Sequence, residues 1–177
     1  MTADYITDDD LEVVMALLMP QNRLICQVAL HTGLRIGDVV GLRADQLKRR
    51  FTVRESKTGK AKRVSLTADL LRRVQAQAGP VWAFPSPSGS SQTGHKTRQA
   101  VWADIKRAGK AMRLKRNVTP HTLRKVYAVR KYAETGDLSA VQKALNHDDV
   151  AVTMLYALAD AVAARRGQQR GKRLSRP

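Results

Sequence analysis

Apolar positions along this chain recur mostly at the three- and four-residue spacing of amphipathic helices, and in one stretch at the two-residue spacing of strands. Thr7 followed by Asp8-Asp9-Asp10 reads as an N-cap with acids in the first turn. It opens a helix through Leu11, Val14, Leu17 and Leu18 that Pro20 stops. A second helix covers about 22–31 and ends at Gly33, a C-cap glycine. Arg35-Ile-Gly-Asp-Val-Val-Gly-Leu starts a short third one. From Phe51 to Leu66 the period changes to two, with a Lys-Thr-Gly-Lys turn between the runs, so this segment predicts a hairpin turning at Gly59.

Thr67 caps a further helix to about Ala78, which Gly79-Pro80 breaks. Pro85-Ser-Pro-Ser-Gly-Ser-Ser is a loop too short for a domain linker, because helical pattern resumes beyond it. Helices follow at about 96–109, 121–135, 138–146 and 149–164, with Gly136 separating the second from the third. The segment from Gly167 onward is basic and without apolar periodicity, and is expected to lack structure alone. No internal repeat is visible. The pattern predicts an α+β fold, predominantly helical: a single domain with a small antiparallel β-sheet.

Composition changes this picture in one respect. An apolar fraction of 43% and a charged fraction of 27% are ordinary for a folded domain, and 177 residues suffice to bury about two-thirds of the unfolded surface. The charge balance is not ordinary: 32 Lys+Arg against 15 Asp+Glu give a formal net charge of +17. Such a chain calls for a polyanion, and duplex DNA is the natural one. An anionic membrane fits less well, because the basic residues are spread over many segments rather than gathered on one amphipathic helix. Cys26 sits alone in an apolar run, which reads as a small buried residue in a reducing compartment. No apolar stretch approaches a membrane span and no signal-peptide pattern opens the sequence, so the expected location is cytoplasmic, nucleoid-associated when bound to DNA.

Several polar groups have chemistry to offer, and each also has a plain alternative. His121 and Arg124 lie three apart at a helix start fixed by Pro120, one face near the positive helix end that suits a phosphate. They equally suit an exposed pair on an ordinary helix. Arg35 precedes Asp38 by three residues, an arrangement for Asp38 to orient it or for a plain surface ion pair. Lys57 precedes the hairpin tip, where a lysine is either a solvated charge or a mobile general acid. His147 follows a helix end, and Tyr156 lies on an apolar helix where a core role is the common one. His31, His95, Tyr5, Tyr127 and Tyr132 stand in no comparable settings; Tyr127 and Tyr132 are expected to pack or to line DNA. Metal ligation is not expected, since there is no Cys pair, no His-x-x-x-His and no clustered carboxylates. A Gly-rich phosphate loop followed by Lys-Ser/Thr is also missing, which disfavours an ATPase.

Taken in order, these segments resemble the catalytic domain of the tyrosine recombinases, or phage integrase family. Thr32-Gly-Leu-Arg-Ile-Gly-Asp-Val-Val-Gly-Leu-Arg43 looks like the family's first arginine box, and Ser56-Lys-Thr-Gly-Lys60 like its hairpin lysine. Thr119-Pro-His-Thr-Leu-Arg124, the segment Asp137 to His147, and Thr153-Met-Leu-Tyr156 look like its second box with the nucleophile. The likeness runs from about residue 7 to 160. Two positions depart: Lys125 stands where many members have His, and Asn146 where Gly usually precedes the His.

The resemblance implies the tyrosine recombinase catalytic fold over residues 1–164, a flexible basic tail at 165–177, and absence of the N-terminal core-binding domain. It implies catalytic roles for Arg35, Lys57, His121, Arg124, His147 and Tyr156, with Asp38 supporting Arg35. Lys60, Lys62, Arg98, Lys106, Lys110, Lys115 and Lys125 are the candidate DNA contacts. The implied activity is site-specific recombination or integration through a 3′-phosphotyrosyl intermediate, with no metal, ATP or other cofactor. The implied partners are double-stranded DNA and three further copies in a homotetramer on paired sites, with accessory DNA-bending or directionality proteins as open additions and no membrane. Type IB topoisomerase-like relaxation and a non-catalytic DNA-binding module remain as alternatives.

Overall fold

The computed structural model describes residues 6–86 and 94–145. Seven helices and one hairpin appear among them: α1 (Asp8–Leu17), α2 (Pro20–Thr32), α3 (Ile36–Val40), a 3-10 turn at Ala44–Gln46, β1 (Arg50–Arg54), β2 (Ala61–Ser65), α4 (Ala68–Gln77), α5 (Arg98–Ala111), α6 (Pro120–Thr135) and α7 (Leu138–Leu145). The predominantly helical α+β architecture with one small antiparallel sheet is therefore as expected. None of the described helices is long and apolar enough to cross a membrane. The expected helix at 149–164 and the basic tail lie outside the described residues.

α2 is the centre of the molecule. Leu24, Ile25, Cys26, Val28 and Ala29 are all buried, so it is apolar over more than one face and takes packing from α1, α3, α4 and α6. Burial pushes the Cys26 thiol well above its ordinary range, which leaves it a small inert core residue. Val101, Ile105 and Ala108 of α5 and Leu123 and Val126 of α6 complete the main core. Ala128, Val141 and Leu145 form a smaller cluster that joins α7 to α6, with Tyr127 and Tyr132 against it.

Pro20 behaves differently from the expectation. It does not end α1, which stops at Leu17; it is the first residue of α2. Proline fits there because the first-turn N–H it lacks has no helical partner in any case. The N-cap, Met19, offers no side-chain oxygen, and Asp104 of α5 supplies one instead. Its Oδ2 accepts from Met19 N at 2.9 Å and from Asn22 Nδ2 at 2.7 Å, pinning the α1–α2 junction to α5.

At its other end α2 stops as the sequence predicts. Gly33 takes a left-handed φ of 66° and its N–H returns to Ala29 O at 2.8 Å. The hairpin pairs Phe51 with Val64 and Val53 with Lys62, and Gly59 (φ 67°) makes the turn. Residues 51, 53, 62 and 64 therefore share one face, turned to the core, where Val53 and Val64 are buried. Lys62 is on that inner face.

Candidate active site

The αL turn at Gly33 brings the chain sharply from α2 into Arg35, the residue preceding α3. Arg35 has an extended backbone (φ −70°, ψ 146°), so its side chain leaves before the helix begins. The expected pairing with Asp38 does not form, because the two side chains take different partners. Arg35 instead donates to Glu55 Oε2 at 2.9 Å, with the carboxylate fully buried and the guanidinium side chain 16% exposed. Asp38, inside α3, turns to the hairpin, where its Oδ1 accepts from Ser56 N (2.9 Å) and Ser56 Oγ (2.7 Å).

The hairpin turn carrying Lys57 is closed by its own backbone, Glu55 N to Lys60 O at 3.0 Å and Gly59 N to Glu55 O at 2.8 Å. Thr58 Oγ1 donates to Glu55 Oε2 at 2.9 Å. Burial alone would raise the Glu55 carboxyl, but hydrogen bonds from Arg35 and Thr58 and the nearby guanidinium charges hold it below the usual carboxylate range. The Lys57 side chain is exposed in the turn.

α6 begins at Pro120 behind a capping box, in which Thr119 N donates to Thr122 Oγ1 at 3.1 Å and Thr119 Oγ1 accepts from His121 N at 3.3 Å. Arg124, one turn in, reaches back to α2: one terminal nitrogen, Nη1, donates to Gly33 O and the other, Nη2, to Leu145 O, each at 2.6 Å. Arg124 thus holds together the start of the first arginine segment and the end of α7, two residues before His147. Burial and the charge of Arg35 push it down to about 10, which still leaves it protonated at neutral pH. Among the described residues these two carbonyls take two of its five N–H donors.

His121 lies within electrostatic reach of Arg124, Arg35, Lys57 and Arg98. Partial burial and these four cations hold its imidazole below the ordinary value, so it is neutral at pH 7 and able to accept a proton. Four of the predicted residues, Arg35, Lys57, Arg98 and Arg124, therefore lie within electrostatic reach of the fifth, His121. His147 and Tyr156 lie outside the described residues.

Among the predicted DNA contacts, Lys57's neighbour Lys60 is exposed, as are Lys110 and Lys115. Lys106 donates to Asn117 Oδ1 at 2.7 Å, and Lys125 is half-buried. Lys62 differs from its expectation. It is buried, its Nζ donates to Thr32 O at 2.8 Å, and it lies 5.6 Å from the centre of the Tyr127 ring. Burial and the charge of Arg124 lower it to about 8. Its ammonium is a tie inside the protein, under the α2 turn that sets Arg35.

Sequence reasoning passed over Glu55, gave Lys62 to DNA rather than to the interior, and left Tyr127 between packing and lining DNA. A signal existed for the first two: 53 and 55 share strand parity, as do 62, 64 and 66, so an acid and a lysine stood at inward positions. Tyr127 carried no such signal; its ring lies where a Gly33 Cβ would fall, 2.4 Å from Cε1. Among the described residues no three His, Cys, Asp or Glu side chains converge as a metal site.

Comparison with known proteins points the same way. The tyrosine recombinase XerD of Lacticaseibacillus casei is 33% identical over 146 residues, covering 77% of this chain and 50% of the relative. The chain thus spans about half the length of the curated relatives it matches. Its fold superposes on a lambda integrase dimer bound to a COC′ core site with a TM-score of 0.71 at 21% identity, covering 87% of this chain and 59% of that one. A lambda integrase tetramer bound to a Holliday junction gives 0.69 at 22% identity, covering 87% and 48%. Residues 4–162 match the phage integrase family as a whole, and with the arginine, lysine and histidine segments gathered as described, the chain belongs to that family.

Proposed function

We propose that this chain is the catalytic domain of a site-specific DNA recombinase or integrase that cuts and rejoins DNA through a 3′-phosphotyrosyl intermediate. The observation that carries the reading is that Arg124 is tied to Gly33 O, two residues from Arg35, with His121 within electrostatic reach of both arginines and of Lys57. Two guanidiniums, a mobile ammonium and a proton-accepting imidazole are the groups a phosphodiester attack needs.

In that chemistry the Tyr156 oxygen attacks the scissile phosphorus and its proton passes to His121. Arg35 and Arg124 stabilise the charge on the non-bridging oxygens, and His147 adds a hydrogen bond. The bond from phosphorus to the 5′ oxygen breaks, and Lys57 protonates that leaving oxygen. The phosphotyrosyl link retains the energy of the broken bond, so a 5′-hydroxyl from a partner duplex reseals it without metal or nucleotide.

The catalytic unit comprises residues 1–164, with 165–177 as a basic tail. Duplex DNA is the partner, met through Lys60, Arg98, Lys106, Lys110, Lys115 and Lys125 to phosphates or base edges. The working assembly is a homotetramer on paired sites in the cytoplasm, in keeping with the lambda integrase tetramer on its junction.

The test is a nicked duplex carrying junction sequences from the host genome, incubated with the protein in EDTA. Wild type is expected to leave an SDS-resistant protein–DNA adduct. Tyr156→Phe should leave none while binding DNA within a few-fold of wild type. An adduct that survives Tyr156→Phe, or one that forms only with added metal, refutes the mechanism.

A further inference from the structure

Glu55 has no place in the chemistry above, yet it occupies the middle of the site. It directly follows β1, in step with the inward-facing Val53, and is fully buried. A buried carboxylate is retained at a cost unless it is fully paired. Here one oxygen, Oε2, takes both the Arg35 guanidinium and the Thr58 hydroxyl, each at 2.9 Å, while Oε1 is buried with no hydrogen-bond partner among the described residues. A neutral core residue would avoid that cost, so the arrangement serves something other than packing.

Its placement indicates what. Lys57 lies between Ser56 and Thr58, and each neighbour is fastened to a different carboxylate. Ser56 is held by Asp38 Oδ1 through both its N–H and its hydroxyl, and Thr58 by the Glu55 oxygen that also orients Arg35. The turn bearing the lysine is thus clipped to α3 on one side and to the first arginine on the other. Among the described residues Glu55 takes one of the five Arg35 N–H donors.

We infer that Glu55 is a positioning residue that couples Arg35 to the Lys57 turn through its shared Oε2, so that the group stabilising the non-bridging oxygens and the group protonating the leaving oxygen are set by one carboxylate. This rests on the recombinase reading of the site. Arg35 settling on a phosphate resets its hold on Oε2, and Thr58, on the same oxygen, carries the adjustment to Lys57. Glu55 touches no reacting atom; it acts through its two partners.

The experiment compares single-turnover cleavage by the full chain on two nicked duplexes, one with an ordinary scissile phosphate and one with sulfur at the 5′ bridging position. A thiolate leaves without being protonated, so the second substrate removes the need for Lys57. Thr58→Val deletes the lysine arm of the coupling and leaves the Arg35–Glu55 pair intact. It is expected to slow ordinary cleavage by about tenfold, the scale of a sub-ångström misplacement, and to recover to within about twofold on the sulfur substrate. Glu55→Gln, which weakens both arms, should be slower still by about another tenfold, with sulfur restoring only the part that Thr58→Val loses. Melting curves identify any variant that fails to fold, and Thr58→Val, a near-isosteric change, keeps the test available if Glu55→Gln does not fold. Ordinary cleavage by Thr58→Val at the wild-type rate, or a deficit equal on both substrates, overturns the coupling. Absence of a wild-type adduct on either duplex sinks the recombinase reading itself and the coupling with it.

Discussion

Replacing Gly33 with alanine puts a methyl group into the ring of Tyr127. The position has φ +66°, and an ideal Cβ there lies 2.4 Å from Tyr127 Cε1, 2.6 Å from Cδ1 and 2.8 Å from Cζ. Two costs follow. The left-handed backbone costs an L residue roughly 1–2 kcal/mol, and forcing the ring aside is an overpacking cost of about 1–3 kcal/mol. Gly136 separates them: it has nearly the same φ, +64°, with nothing within 4 Å of its Cβ position. Gly136→Ala should therefore show the backbone cost alone, about 1 kcal/mol, and Gly33→Ala about 3 kcal/mol, lowering Tm by roughly 6–12 °C for a domain of this size. Urea denaturation of both variants measures the difference. Tyr127→Ala supplies the cycle: in that background the added cost of Gly33→Ala should fall to the Gly136→Ala value. Equal losses at the two glycines would refute the reasoning. Because Gly33 O accepts from Arg124 and Lys62 stacks on the displaced ring, Gly33→Ala should also slow DNA cleavage more than its stability loss explains.

Asp104 and Lys62 give two further tests, each with a pH signature. Asp104→Ala leaves Met19 N–H and the buried Asn22 amide unpaired and should cost about 2–4 kcal/mol in urea denaturation at pH 7. Burial alone would raise Asp104, but the hydrogen bonds from Asn22, Arg107 and Met19 hold it below its ordinary 3.8. Its contribution is thus complete above that value and lost as pH falls through the lower folded-state value, so Asp104→Asn should flatten the acid limb of the stability curve. Lys62 has the opposite slope: its folded value is about 8 against an ordinary 10.5, so between those values the unfolded chain binds more protons and stability rises with pH. The displacement amounts to roughly 3 kcal/mol against the charged form, and Lys62→Met should remove that rise. A parallel pH curve for wild type and Lys62→Met would show that the lysine is not buried as described.

The helical elements were legible because their signals are local. Thr7, Thr67 and Thr119 cap helices through their own hydroxyls, Gly33 and Gly136 end helices in the left-handed conformation, and the change of period at Phe51 marks the hairpin. The family was legible as an ordered series of residue types, of which Arg35, Lys57, His121 and Arg124 fall within the described residues. Pro20 was misread because proline both stops one helix and starts the next, and the choice depends on Asp104, more than eighty residues away in sequence. The Arg35–Asp38 pair was misread because sequence spacing does not say which distant partner each side chain takes.

The sequence by itself determined which groups are present, where helices begin and end, and that the surface is strongly cationic, since each follows from side-chain chemistry and near-neighbour backbone geometry. Only the tertiary structure decided which acid meets which base. Arg35 took Glu55 and Asp38 took Ser56 because the hairpin packs against α3, and Lys62 became an internal tie because strand register turned it toward α2. Those pairings depend on distances between segments far apart in the chain. Burial makes them strong, and burial is a property of the packed whole.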